Sequence, residues 1–311
     1  MNPIRVLLTL FLFAAAADAM AQQNSPSEPL PSVESVVVTG TKSPQALHDF
    51  VGEIAAPTRL AGKLARWEVP VCPLVAGLNP KAAAFIIRRV REVAAGAGAR
   101  VDRDPTCRPN IRIVFTTTPQ RLVDDMRKNH GDLLGYYDTL AQMDRMATFR
   151  GPIQAWYMTA TRDARGNLQT DTARTQGLEI QMTNSPSMWM PLARAYSVTG
   201  MHLGDGLRAN LHQVTIIADP TKLLDYEMGP IADYIAMLGL SQMMRTDRCQ
   251  SLPTITNLLA SACPRIPPGL SDIDLGYLRG LYHMNAERSK SVQIHEVTYQ
   301  MRQGLIEAGT R

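Results

Sequence analysis

Aromatic side chains are scarce in this sequence, at 6% of its 311 residues, and charge of one sign is lacking: 32 Lys and Arg against 28 Asp and Glu leave +4. The basic residues are dispersed, and the densest group, Arg88-Arg89 with Arg91, falls on an expected helix and reads as a solvated face. A nucleic-acid partner is therefore not expected, because that footprint needs clustered cations with stacking rings. Cysteine is equally sparse. None of the four has another cysteine two or three residues away or a histidine nearby, which excludes a Cys/His zinc ribbon. Also missing are a G-x-S-x-G elbow, a Walker A loop and a cysteine paired with a motif histidine. The Gly-Ala-Gly at 96–98 follows a helix rather than a strand, so it is no dinucleotide loop. Beyond the N-terminus no apolar run approaches the ~20 residues that span a bilayer.

What is present begins with an export signal over 1–21. Arg5 supplies the positive end, Val6 to Ala17 the apolar run, and Ala19-Met20-Ala21 a small-x-small cleavage site. No cysteine follows that site, so a lipoprotein anchor is not expected. The mature chain is expected in an oxidising compartment, a bacterial periplasm, with its four cysteines in two disulfides. Four cysteines allow three pairings. Nearness in sequence favours Cys72–Cys107 and Cys249–Cys263.

Residues 22–48 are a polar, Pro/Ser-rich lead interrupted by Val36-Val37-Val38-Thr39, and 49–311 read as one domain without repeat or linker. Residues 49–64 are expected to be helical. Residues 66–75, a helix started by Asn79-Pro80 and ended near Gly96 and Gly98, and residues 110–116 form a strand–helix–strand unit with parallel strands. Residues 119–147 read as helical or mixed. Strands are expected at 153–161, 178–182 and 213–218. Asp219-Pro220 starts a helix expected to run to Met228, where Gly229-Pro230 either kinks it or begins a new one. An apolar segment, 231–242, follows. Ser271 and Asp274 form a capping box with Leu270 as its staple, and an amphipathic segment carrying Ile294, Val297, Met301 and Leu305 closes the chain.

Two resemblances are carried by these residues. The 36–39 strand, with Glu34 and Thr41-Lys42, resembles a TonB box, which implies an envelope partner that pairs with it; the same residues also read as a first strand of the domain's own sheet. The order strand–helix–strand, further strands, helix to Gly239-Leu240, turn Thr254-Ile255-Thr256-Asn257 and capped helix ending Leu281-Tyr282 resembles a metzincin-type zincin. It is also similar to a group of exported Gram-negative proteins without an established activity.

The zincin resemblance implies a mixed α+β sheet with packed helices and puts the zinc-ligand positions on Ala232, Ala236 and Gln242, with the general base on Asp233. Two of those three positions hold a methyl group, which cannot ligate a cation, and Thr256 stands where the turn's methionine would be. No cofactor or metal is therefore expected, and the expectation is a non-catalytic binding or scaffold protein of the periplasm, a pseudoenzyme. The alternative is a periplasmic hydrolase with an atypical site, for which Asp233, His202, Asp205 and Glu227 are the candidates. His202 and Asp205 share a glycine-rich loop.

Overall fold

The computed structural model describes residues 43–171, 177–181, 188–191, 196–200, 204–244 and 247–309. The expected export signal, most of the polar lead, the expected strand at Val36 to Thr39 and His202 lie outside the described residues. Helix α1 (Pro44–Ile54) starts on Pro44 in its first turn and buries Leu47, Phe50, Val51 and Ile54. It ends ten residues before the expected Leu64, because Pro57 cannot continue a helix. Strand β1 (Pro73–Ala76) is shorter than the expected 66–75, with Arg66 and Val71 making isolated bridges instead. Helix α2 (Pro80–Ala97) begins where the Asn79 side chain accepts from the Ala82 N–H at 2.9 Å, and Gly98 at φ 90° closes it. Strand β2 (Ile111–Phe115) completes the parallel unit.

Helix α3 (Pro119–Asn129), a 3₁₀ turn (Gly131–Leu134) and α4 (Leu140–Met146) lead to the long strand β3 (Ile153–Arg162). The short β4 (Leu168–Thr170), the hairpin β5 (Gly177–Ile180) and β6 (Met188–Pro191), and β7 (Arg208–Ala218) follow. The expected helix after Asp219 is a single 3₁₀ turn (Pro220–Lys222), since the Asp219 carboxylate binds the Thr221 N–H and hydroxyl and closes the turn locally. A new helix, α5 (Met228–Leu240), takes Gly229-Pro230 into its first turn, where proline costs no hydrogen bond. A 3₁₀ turn (Ile255–Leu259), α6 (Asp272–His283) and α7 (Lys290–Gly309) complete seven α-helices among the described residues.

The architecture is α+β around a five-stranded mixed sheet of order β1-β2-β7-β3-β4. β1, β2 and β7 are parallel, while β3 runs antiparallel to β7 and β4 antiparallel to β3. Alternation along the strands divides the apolar residues between two faces. One face carries Ile111, Ile113, Val214 and Ile216 into a main core that reaches from Leu47 to Met301 and includes α1, α2, α5, α6 and α7. The other carries Trp156 and Ile217 into a smaller core with Val123, Met126, Leu134 and Met143.

Both disulfides join the sequence-nearest cysteines, Cys72–Cys107 and Cys249–Cys263. The capping box forms on Ser271 and Asp274. The Asp274 carboxylate, fully buried, also accepts from the Thr254 hydroxyl and from the Ile255 N–H at 2.9 Å, which ties the 3₁₀ turn to the start of α6. Helices α6 and α7 touch at Gly280, where an added Cβ would stand 2.8 Å from the Val297 carbonyl oxygen. Backbone cannot yield there. Gly280→Ala is expected to lower unfolding free energy by about 1–3 kcal/mol, read as a lower urea midpoint at unchanged slope.

Candidate functional site

Helix α5 occupies the middle of the main core. Ile231 to Leu240 are all buried, so the segment has no solvated stripe. Ala232 and Ala236 are both 0% exposed, packed within the main apolar cluster. The Asp233 carboxylate accepts from Arg89 Nε of α2 and from the Leu270 N–H at 2.8 Å. Its hydrogen bond holds the Arg89 guanidinium above its ordinary pKa. Both oxygens of Asp233 thus serve to join α5 to α2 and to the start of α6. The last carbonyls of α5 are bound by side chains: Trp67 Nε1 donates to Gly239 at 2.8 Å, Tyr282 to Leu240 at 2.9 Å and the Ser241 hydroxyl to Met237 at 2.8 Å.

These positions do not fit zinc. Ala232 and Ala236 offer no donor atom and Gln242 alone is left, a poor zinc ligand. Among the described residues no group of three or more His, Cys, Asp and Glu side chains converges on one point.

The other named acids are placed apart. Glu227 is the exposed residue before α5. Asp205 receives Lys63 Nζ and the Leu207 N–H. Lys63 is 3% exposed and also donates to the carbonyls of Leu207 at 2.8 Å and Glu287 at 2.6 Å. This buried ammonium is fully hydrogen-bonded, and Asp205 is its counter-ion, which ties the loop at 204–207 to the segments around 63 and 287.

Gln242, one residue past the α5 C-cap, does reach a cavity. That cavity, of about 190 Å³, lies between Gly135-Tyr136, the first half of β3 and Gln242, with Arg59 and Thr159 also on its wall. Sequence reasoning missed Tyr136, Gln154 and Tyr157, because a strand pattern shows alternation and not which edge is left open. The register settles that edge. The Asp219 N–H donates to Pro152 across the β3–β7 pair, so Gln154 and Trp156 share hydrogen bonds with β7, whereas Ala155 and Tyr157 turn their backbone groups outward. β4 covers β3 only at Ala160 to Arg162. Among the described residues, no hydrogen-bond partner meets the Ala155 N–H and C=O or the Tyr157 N–H.

Two side-chain atoms at the cavity residues are also unsatisfied. The Tyr157 hydroxyl, beside the Met243 backbone, makes no hydrogen bond of normal geometry, and neither does Gln242 Oε1. Burial raises the Tyr157 pKa, so this hydroxyl stays a neutral donor. The Arg59 guanidinium stands at the rim, paired with Asp138, whose pKa it lowers.

The chain matches no family model, no curated protein and no solved structure.

Buried polar atoms without partners cost stability, about 1–3 kcal/mol each. Tyr157→Phe is therefore expected to leave the melting temperature unchanged or raise it, while Asp233→Asn, which breaks a paired charge, lowers stability by about 2 kcal/mol in urea titrations. The pH response follows from Tyr157, Tyr277 and Tyr282, whose phenols burial pushes above their ordinary pKa of ~10. Folding holds these protons more tightly than the unfolded chain does. Their contribution is complete below pH ~10 and is lost as pH rises toward the folded values. Tyrosinate absorbance should show a late fraction that appears together with unfolding; a single early transition of all tyrosines contradicts this.

Proposed function

We propose that the chain is an exported, non-catalytic binding module of the bacterial cell envelope that takes an extended polypeptide along the open edge of β3. One observation supports this reading above others: the outward N–H and C=O of Ala155 and the N–H of Tyr157, beside a cavity lined in part by Tyr157 and Gln242. A strand added to such an edge satisfies the backbone groups, and alternate side chains enter the neighbouring cavity. The domain is zincin-like in the order of its parts and a pseudoenzyme in its chemistry, with Ala232, Ala236 and Gln242 at the ligand positions. The two disulfides fit a periplasmic location, and among the described residues no helix is long and apolar enough to cross a membrane. The Val36 to Thr39 strand lies outside the described residues and carries no part of this proposal.

The test uses peptides selected from a random display library on the purified protein, then measured by calorimetry. Ala155→Pro removes an outward donor while leaving the β3–β7 ladder intact, so its melting curve is retained and binding is lost. Gln242→Leu weakens the same peptides roughly tenfold, the equivalent of one ~1.4 kcal/mol hydrogen bond. Equal binding by wild type and Ala155→Pro overturns the reading, and steady hydrolysis of a fluorescent casein by the purified chain favours the hydrolase instead.

A further inference from the structure

Away from the β3 edge, the outer side of α2 carries a second feature. Ala84, Ile87, Arg91 and Ala95 recur at helical spacing on one face and form one wall of a groove of about 480 Å³. The facing wall is the segment at Val101 and Arg103, held in place by the Val71↔Val101 bridge, by the Asp102 N–H donated to the Val71 carbonyl at 3.0 Å, and by Cys72–Cys107. The groove is therefore preformed rather than a gap between mobile side chains. Its floor is methyl-lined and its rim carries three guanidinium groups, Arg88, Arg91 and Arg103.

The charges on this rim are unevenly matched. Glu92 is taken up by Arg88 at 3.7 Å and Arg89 at 3.5 Å. Arg91 has a single contact, its Nη2 3.9 Å from Cys107 Sγ, and its Nε is buried with no hydrogen-bond partner. Arg103 has no ion-pair partner among the described residues. The Arg91 Nε is closed off inside the fold, but neither the Arg91 Nη groups nor the Arg103 guanidinium has a carboxylate partner among the described residues, so an anion in the groove gains charge-assisted hydrogen bonds there. The floor is the side-chain face of a helix whose backbone groups are bonded internally, so an extended peptide finds nothing there to pair with.

We propose that this groove is a binding site for a medium-chain alkyl carboxylate, with the carboxylate on Arg91 and Arg103 and the chain along Ala84, Ile87, Ala95 and Val101. The single chain suits a groove that spans Ala84 to Ala95, about 16 Å at 1.5 Å per residue. The site is independent of the β3 edge and of any peptide bound there.

The experiment is calorimetry and thermal melting of the mature protein with decanoate below its micelle concentration, with decanol as a tail-only and acetate as a head-only control. Decanoate is expected to bind at one site per chain and to raise the melting temperature, with decanol at least tenfold weaker and acetate showing no saturation. Arg91→Met is expected to weaken decanoate at least tenfold. Ala95→Trp, at an exposed position that tolerates a large side chain, fills the groove and abolishes binding with the fold intact. Absence of saturable decanoate binding, equal affinity for decanol, or decanoate binding that survives Ala95→Trp each overturns the proposal.

Discussion

Everything in this fold is arranged around the close seating of α5 on the sheet. At Gly239 an added Cβ would lie 3.3 Å from two Ile111 side-chain carbons, tighter than ordinary contact, which marks how closely the helix sits against β2 and β7. Once seated, the helix can expose none of its last ten residues, and its polar groups need partners supplied from elsewhere. Trp67, Tyr282 and Ser241 bind its final carbonyls, and Arg89 neutralises Asp233. These contacts draw in the segment before β1, α2 and α6, which explains how one helix organises elements far apart in sequence. Alanine at 232 and 236 belongs to the same constraint: small apolar side chains pack within this core, whereas imidazoles would bring unpaired nitrogens into it.

The proposed binding features lie where that packing stops. Gln242 is just beyond the helix, and its cavity forms where β4 leaves half of β3 uncovered. The groove on α2 likewise uses the face turned away from α5. In both places polar atoms lack partners, a cost that the densely bonded core can carry. The pairs Lys63 with Asp205 and Asp274 with Ser271 are by contrast complete, while Thr58 and Gln250 each keep a buried side-chain atom without a partner.

The sequence made the parallel strand–helix–strand unit legible because Asn79-Pro80 and Gly98 mark both helix ends, and the capping box at Ser271 was equally explicit. The nearest-neighbour disulfides needed no geometry. What escaped was set by tertiary context. The Asp219 signal reads the same for a helix and for one closed turn, and β7 begins at Arg208, five residues before its apolar alternation shows. β4 and the pairing order of the strands leave no local signature, so the open edge of β3 and the role of Tyr157 were hidden. Asp205 and Asp233 looked like chemistry because sequence does not show the Lys63 and Arg89 that occupy them.

The central claim is that α5 is a structural helix whose Ala232 and Ala236 belong to the core. Metal analysis of the purified chain, paired with melting curves in the presence and absence of a strong chelator, tests it most directly. The account predicts substoichiometric metal and a melting temperature that the chelator does not change. One tightly held zinc per chain, with a melting temperature that falls when it is stripped, would contradict it.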